Sequence, residues 1–244
     1  DWSSDVCSSD LMNYKRLLKP ESIAVIGVSL HNNRHPANIV YRKNRLRYPV
    51  KVFAVNPRGG KIQGERLYER PGDIPEKVDL AIIAVRADLV PDTMAQCISA
   101  GMGGAVIISG GFAEVGQMEL EERLVKLALE ADFPFVGPNC LGIFSPGRVD
   151  TFFLPGERII RPDKGNVAFV SQSGGVLVDQ FVKFAGQGIG ISLGVSIGNK
   201  ALIREIDMLD WLARDVETKV IAFYIEGFDK GEGRHFIKKA EQCG

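Results

Sequence analysis

The chain has 244 residues, enough for two domains of ordinary size, and its 45% hydrophobic and 25% charged residues are typical of a globular protein. Lysine plus arginine and aspartate plus glutamate both number 30, so the net charge is zero and gives no support for nucleic acid or an anionic membrane as a partner. No apolar run approaches the ~20 residues that a membrane-spanning helix requires, so we expect no membrane partner.

Residues 1–11 (DWSSDVCSSDL) differ from the rest of the chain because they are polar and have no hydrophobic period. They lack the basic and apolar regions of a signal peptide. We interpret them as a foreign leader, resembling a translated sequencing adapter, in front of a reading frame that begins near Met12. The 4 cysteines, with Cys7 in this leader, show no CxxC spacing, which predicts neither a disulfide framework nor a zinc site. The expected compartment is the reducing cytoplasm.

Short apolar runs alternate with helical patterns through the first part of the chain. The runs are continuous and rich in Val and Ile, as are strands that are buried on both faces of a parallel sheet. In the segment 118–131, Leu120, Leu124, Leu127 and Ala128 recur on one helical face. This alternation predicts an α/β fold with a doubly wound parallel sheet. We predict strands over 22–28, 50–55, 78–85, 105–109 and 135–136, and helices over 36–46, 91–100 and 118–131.

The segment 142–165 carries Pro146, Pro155 and Pro162 and has no clear period, so we interpret it as the linker and domain boundary. Three further strand and helix units follow, whereas a flavodoxin-like domain usually has five strands. We therefore predict a Rossmann-like domain over 12–145, a linker over 146–165 and a flavodoxin-type domain over 166–244 that is truncated at its C-terminus. The units are strands over 167–170, 189–196 and 220–225 and helices over 176–185, 203–214 and 232–242.

The sequence VAFVSQSGGVL at 167–177 joins a buried strand directly to a helix through a Ser/Gly turn. The first N–H groups of a helix are unpaired and the helix dipole is positive there, so this turn suits an anion. Glycine permits close approach of the backbone, and the hydroxyls add donors. The alternative is an ordinary helix cap, since Ser and Gly are common there. The predicted anion cradle consists of Ser171, Ser173, Gly174 and Gly175.

The loop after the first strand starts at Gly27 and lacks the G-x-G-x-x-G spacing of a dinucleotide site. After the second strand, an NAD protein would place a carboxylate, but this chain has Asn56, Pro57 and Arg58. Arg58 and Lys61 suit a phosphate better than a ribose diol. An NAD(P)-dependent oxidoreductase is therefore disfavoured, although an NADP site stays open, and a phosphorylated nucleotide other than NAD is preferred.

Seven motifs in a fixed order resemble the α-subunit half of the nucleoside-diphosphate-forming acyl-CoA synthetases. This superfamily contains the ADP-forming acetate–CoA ligases and succinyl-CoA synthetase, and the resemblance covers roughly residues 14–244. No single motif is specific, but their order and spacing together are. The motifs are GVS (27–29), VNPRGG (55–60), IISGGF (107–112), GPNCLG (137–142), SQSGG (171–175), SIGNK (196–200) and YIEGF (224–228).

The resemblance implies that the first domain binds coenzyme A and that the turn at Asn139 and Cys140 lies near its thioester end. It implies that SQSGG holds inorganic phosphate or a phosphohistidine, and that Glu226 orients this histidine. From the residues alone, Glu226 ends a buried strand and could instead cap a helix or pair with a lysine, while Cys140 could be a packed side chain rather than a reactive thiol. The implied CoA contacts are Gly27, Val28, Ser29, Pro57, Arg58, Val85, Ile108, Ser109 and Gly110.

The resemblance further implies a ligase reaction in which phosphate attacks an acyl-CoA, and the acyl phosphate passes its phosphoryl group to a histidine. An ATP-grasp partner, as a β subunit or a fused domain, then phosphorylates ADP with Mg²⁺, and an oligomer is expected. His31, His35 and His235 do not match that histidine, so we expect the chain as given to bind ligands without turnover. His31 and His35 could each meet a CoA phosphate. The alternative is a CoA-binding regulatory module of an acetyltransferase-fused relative, and the acyl group stays open.

Overall fold

A computed structural model describes residues 14–155 and 159–243, so the leader at 1–11 lies outside the described residues. The first part of the chain forms a seven-stranded sheet in the order β3-β4-β2-β1-β5-β6-β7. All pairs are parallel except β3 with β4. Its elements are α1 (Lys15–Leu18), β1 (Ser22–Ile26), α2 (Pro36–Arg47), β2 (Lys51–Val55), β3 (Gly60–Ile62), β4 (Glu65–Tyr68), β5 (Leu80–Ile83), α3 (Val90–Ser99), β6 (Ala105–Ile107), α4 (Met118–Glu130) and β7 (Phe135–Val136).

The second part forms a five-stranded sheet in the order β12-β10-β11-β8-β9. Strands β10, β11 and β12 are parallel, whereas β8 runs antiparallel to β11 and to β9. Its elements are β8 (Gly142–Ser145), β9 (Val149–Asp150), β10 (Lys164–Ser171), α5 (Gly174–Gly186), β11 (Ile191–Ser196), α6 (Glu205–Ala213), β12 (Val220–Tyr224) and α7 (Glu232–Gln242).

The two sheets are joined by one hydrophobic core. One face of the first sheet packs on α3 and α4, where Met94 and Leu124 are fully buried. The other face packs on α2 and, beyond it, on the second sheet, so that Ile23 and Val195 belong to the same cluster of buried side chains. Because apolar area removed from water is the main favourable term in folding, this shared core fixes the position of one sheet against the other.

The strands and helices predicted from apolar periodicity are all present within a few residues of the expected limits, and the α/β fold is confirmed. The segment 142–165, for which the sequence shows no clear period, nevertheless contains regular structure, because β8 and β9 form a short hairpin there and β10 already begins at Lys164. The second sheet thus includes residues 142–150, while the proposed domain limits stay a prediction. No helix in the described residues is long and apolar enough to cross a membrane.

A buried ion cluster joins α2 to β9. Asp150 is completely buried and its Oδ1 lies 2.7 Å from Nζ of Lys43, while its Oδ2 accepts from Nε of Arg161. The Asp150 backbone N–H also donates to Oδ1 of Asn44 at 2.9 Å. Burial lowers the pKa of Lys43 to about 8, although the Asp150 carboxylate opposes this effect. One carboxylate therefore compensates two cations that are largely removed from water.

We expect Asp150→Asn to lower the free energy of unfolding by about 3–5 kcal/mol, because the amide leaves Lys43 and Arg161 as uncompensated buried cations. Urea denaturation at pH 7 measures the effect. The matched control is Asp163→Asn, an exposed position that should change the midpoint very little. Equal midpoints for the two variants would contradict the role of the cluster.

A second charged cluster, at the surface, joins the end of α1 to the loop before β12. Nζ of Lys19 lies 2.5 Å from Asp215 and 2.7 Å from Glu217, and Glu217 also contacts Arg148 at 3.3 Å and Lys164 at 3.1 Å. These cations, Lys19 first and Lys164 next, lower the pKa of Glu217 to about 2. Ionised Glu217 therefore stabilises the folded chain above pH 4.5, its ordinary pKa, and loses this contribution as the pH falls toward 2.

We expect Glu217→Gln to reduce the free energy of unfolding by about 1 kcal/mol at pH 7, a value reduced by solvent screening. The difference from the wild type should narrow as the pH falls below 4.5. Urea midpoints at pH 7, 5 and 3 test this dependence, with the exposed Glu241→Gln as the control. A difference that stays constant over this pH range would be inconsistent with a depressed pKa.

Candidate functional site

The carboxyl ends of β1 and β2 border a first recess of about 400 Å³, which we call the nucleotide recess. Its floor is the loop that starts at Gly27, whose φ of +97° favours glycine. A Cβ at this position would lie 2.3 Å from the carbonyl oxygen of Ala84, so the loop requires glycine sterically as well. The lining residues are Gly27, Ser29, Leu30, His31, His35, Asn56, Pro57 and Arg58.

Side-chain hydrogen bonds fix the loops of the nucleotide recess. Nδ2 of Asn56 donates to the carbonyl of Val28 at 2.9 Å, and its Oδ1 accepts from the backbone N–H of Arg58 at 2.9 Å. The backbone N–H of Ser29 donates to Oδ1 of Asn38 at 2.7 Å. Asn56, at the position where an NAD protein has a carboxylate, thus stabilises the two loops of the recess. The exposed Arg58 guanidinium makes no ion pair among the described residues.

His35 is the N-cap of α2, since its Nδ1 accepts a hydrogen bond from the N–H of Ala37 at 3.3 Å. Burial lowers the pKa of His35, which favours the neutral ring. In that form the proton is on Nε2, so His35 offers the recess a neutral N–H donor rather than a positive charge. His31 is exposed at the rim of the same recess.

A second recess of about 370 Å³, the middle recess, continues from the first at the ends of β5 and β6. His35 lines both recesses. The Ser109 hydroxyl donates to the carbonyl of Val85 at 2.6 Å and holds two neighbouring strand ends together. The lining residues are His35, Pro36, Ala84, Val85, Arg86, Ile108, Ser109, Gly110 and Phe153.

A third space, the interdomain cavity, has a volume of about 700 Å³ and shares Ile108 and Phe153 with the middle recess. The three spaces therefore lie side by side from Arg58 to the first turn of α5, and we call this row of spaces the groove. The interdomain cavity is lined by Ile108, Glu114, Asn139, Cys140, Leu141, Phe153, Leu154, Gln172, Ser173, Gly174, Gly175, Val178, Asp179, Ser196, Gly198, Asn199 and Glu226.

The N-terminus of α5 opens onto this cavity. Ser173 is the N-cap, with its Oγ accepting from the N–H of Val176 at 3.4 Å. A Cβ at Gly175 would meet only Oγ of Ser173, at 3.9 Å, so the backbone there is open to a ligand. Ser171 differs from the other predicted cradle residues, because it is fully buried and its hydroxyl donates to the carbonyl of Ser173 at 2.6 Å. Ser171 supports the turn from behind and does not line the cavity.

Cys140 lies in the turn that separates the two sheets and is 5% exposed. Its thiol donates to the carbonyl of Ile107 at 3.3 Å, and burial raises the pKa of this thiol above its usual range. A thiol in this state is a packed side chain and not a nucleophile. Its backbone still borders the cavity beside Asn139.

Glu226 is exposed at the rim of the interdomain cavity, and its backbone N–H donates to Oε1 of Gln172 at 2.9 Å. The expectation that it ends a buried strand is wrong. Strand β12 lies at the edge of its sheet and is only partly buried, because no strand of the described residues covers its outer side. The Glu226 carboxylate neither caps a helix nor pairs with a lysine in the described structure, so it remains free to face a ligand.

Glu114 and Asn199 also line the cavity, and sequence patterns did not single them out as ligand residues. Asn199 belongs to the SIGNK motif, but Glu114 follows the IISGGF motif and carries no pattern of its own. Together with Asp179 and Glu226, Glu114 gives the cavity a negative wall. No lysine, arginine or histidine is among the described lining residues, so an anion here must bind through N–H and hydroxyl donors.

Comparisons with known proteins agree with this architecture. The family model of the CoA binding domain matches residues 21–146, and that of the succinyl-CoA ligase like flavodoxin domain matches residues 164–244. The ADP-forming acetate–CoA ligase I of Archaeoglobus fulgidus is 39% identical over 93% of this chain, which covers 32% of the relative. The α subunit of the ADP-forming acetate–CoA ligase II of Pyrococcus furiosus is 38% identical over 91% of the chain, covering 48% of the relative.

A solved structure is equally similar. The dinucleotide-forming acetyl-coenzyme A synthetase 1 of Candidatus Korarchaeum cryptofilum, in complex with phosphate and ADP, superposes with a TM-score of 0.86 at 37% identity. The match covers 95% of this chain and 49% of that one, so the chain spans about a third to a half of the length of these three relatives. The resemblance inferred from the seven motifs is confirmed. The chain belongs to the CoA-binding domain family, in the form found in the ADP-forming acyl-CoA synthetases.

Proposed function

We propose that this chain is the CoA-binding and phosphate-binding part of an ADP-forming acyl-CoA synthetase. The observation that carries the proposal is the row of three adjacent spaces, which leads from the Arg58 guanidinium to the N-terminus of α5. Such a groove fits a ligand with a phosphorylated nucleotide at one end and a reactive group at the other. Coenzyme A has this shape, with its thioester end reaching the interdomain cavity.

The proposed CoA contacts follow the three spaces in order. In the nucleotide recess, Gly27 and Ser29 line the loop after β1 with Val28 buried between them, and Pro57 and Arg58 line the loop after β2. The pantetheine arm passes through the middle recess along Val85, Ile108, Ser109 and Gly110. Asn139 and Cys140 border the point where the thioester would enter the interdomain cavity.

The proposed chemistry takes place at the first turn of α5. The N–H groups of Gly174 and Gly175, with the hydroxyl of Ser173, hold phosphate, since no carbonyl of the helix can pair with these N–H groups. A phosphate oxygen attacks the thioester carbonyl, a C–O bond forms, and the C–S bond breaks with release of the CoA thiolate. The products are an acyl phosphate and CoA, and Ser171 supports the cradle from behind.

The later steps require groups that this chain does not supply among its described residues. A histidine takes the phosphoryl group from the acyl phosphate, and Glu226 at the cavity rim accepts its N–H and orients the ring. An ATP-grasp partner, as a subunit or a fused domain, then transfers the phosphoryl group to ADP with Mg²⁺. Relatives named as α subunits support a partner subunit, and we propose an oligomeric ligase in the cytoplasm.

We expect Arg58→Ala to weaken CoA binding about tenfold, because the guanidinium lines the nucleotide recess and no carboxylate of the described residues occupies it. Titration calorimetry of the chain with CoA measures this loss, with NAD as the control ligand. The matched control variant is Lys61→Ala, because Lys61 is a nearby exposed cation that lies outside the recess. Its CoA affinity should fall by less than about twofold. Binding of NAD but not of CoA to the wild type would overturn the proposal.

We expect Gly175→Ala to abolish phosphate binding without harming the fold. The methyl group has open space in the protein but occupies the cradle, and alanine favours the helix over glycine by about 0.5–1 kcal/mol. Titration with inorganic phosphate and urea denaturation give the two readouts. Gly186→Ala, at the other end of α5 and equally unobstructed, is the control that should gain stability and keep phosphate binding. Unchanged phosphate binding in Gly175→Ala would place the anion elsewhere.

A further inference from the structure

A hydrogen-bonded network crosses the interdomain cavity between the two sheets. Its centre is Glu114, in the short helical turn between β6 and α4. Oε1 of Glu114 accepts from the N–H of Gly111 at 2.5 Å, and Oε2 accepts from the N–H of Phe112 at 3.2 Å and from Nδ2 of Asn199 at 2.5 Å. One carboxylate thus joins the loop that follows β6 to the loop that follows β11.

On the side of the second sheet, the residue that takes part in the network is Asn199. Its Nδ2 donates also to Oε2 of Glu121 at 2.9 Å, and its Oδ1 accepts from Nδ2 of Asn139 at 3.3 Å. Its backbone N–H donates to the carbonyl of Pro138 at 3.0 Å. Both ends of the side-chain amide are therefore engaged with residues of the first part of the chain, which fixes the amide orientation.

The carboxylate of Glu114 is held in its ionised form. Partial burial alone would raise its pKa, but the Asn199 amide and the backbone N–H groups that donate to it lower the pKa below its ordinary value. Hydrogen bonds to an ionised acceptor are about twice as strong as neutral ones. The link between the loops is consequently stiff compared with an ordinary polar contact.

The two loops carry different parts of the proposed reaction. Gly110, next to Gly111, borders the middle recess, through which the pantetheine arm would reach the interdomain cavity. Asn199 lies three residues after the end of β11. Strand β11 pairs with β10, which leads into α5 and its phosphate cradle. Within the frame that the shared core fixes, the Glu114–Asn199 bond therefore holds the loop beside the proposed thioester position against the loop that follows β11.

We infer that Glu114, acting through Asn199, is a positioning residue that holds these two loops in place and so aligns the CoA thioester with the phosphate. This inference rests on the proposed function and deepens it. Neither residue has to contact the nucleotide end of CoA, which lies at Arg58. Loss of the link should leave each ligand bound separately but should misalign the two sites, and small misplacements of reacting groups are costly.

The test uses a probe that spans both sites, the 2-phosphonoethyl thioether of CoA. Its S–C–C–P chain has the same number of atoms as the S–C–O–P path of the attack. Calorimetry on the wild-type chain should show that the probe binds at least about tenfold more tightly than CoA, because its phosphonate is already tethered beside the cradle. In Glu114→Ala the affinity for the probe should fall about tenfold, while the affinities for CoA and for inorganic phosphate should each change by less than about twofold.

Three further variants make the result specific. Asn199→Ala should lose at least as much affinity for the probe as Glu114→Ala, because it also removes the bonds to Glu121 and Asn139. The losses of the two single variants should not add in the double variant, because each single variant already removes the bond between Glu114 and Asn199. Glu114→Gln keeps one acceptor oxygen, so its affinity for the probe should lie between those of Glu114→Ala and the wild type. Glu122→Gln, an exposed carboxylate of α4, is the control and should bind the probe normally.

The outcomes separate the two proposals. Parallel losses of probe, CoA and phosphate affinity in Glu114→Ala would indicate a purely structural role and overturn the inference. Unchanged affinity for the probe would overturn it equally. Failure of CoA to bind the wild-type chain would overturn the proposed function and, with it, the inference.

Discussion

The groove depends on one close approach of backbone to backbone between the two sheets. Gly198 lies so near the turn at 138–139 that a Cβ on it would sit 2.4 Å from the carbonyl oxygens of both Pro138 and Asn139. Its φ of +57° also favours glycine. The contact is completed by backbone hydrogen bonds from Asn139 to Ser109 at 2.9 Å and from Asn199 to Pro138 at 3.0 Å. No side chain fits in this space, so the middle recess and the interdomain cavity meet at a fixed point.

The electrostatics of the groove change along its length. The nucleotide recess has the exposed Arg58 guanidinium and the neutral cap His35, whereas the interdomain cavity has Glu114, Asp179 and Glu226 and no cation among its described lining residues. A phosphate at α5 therefore relies on N–H groups and on the helix dipole. These donors do not titrate. Any pH dependence of ligand binding in this cavity must come from its carboxylates or from the ligand.

The sequence predicted the framework well, because the framework depends on local and repetitive features. Continuous Val- and Ile-rich runs predicted β1 and β5, which are buried between helices. The two-residue strand β9 has no period to detect, and β8 consists of only four residues after a glycine. These strands exist because β11 offers a free edge for β8, and that edge is a property of the tertiary structure.

For the residues of the groove, too, the sequence predicted local features but not those that depend on the tertiary structure. Gly27 and the Ser/Gly turn before α5 were predictable, since their chemistry is carried by the backbone of a short segment. The directions of the side chains were not predictable. Ser171 faces the protein interior, although Ser173, two residues later, faces the cavity. The Glu114–Asn199 bond joins residues 85 positions apart, so no local pattern contains it. It exists because one hydrophobic core holds both sheets, so the alignment of these two loops is a property of the pair of sheets and not of either sheet alone.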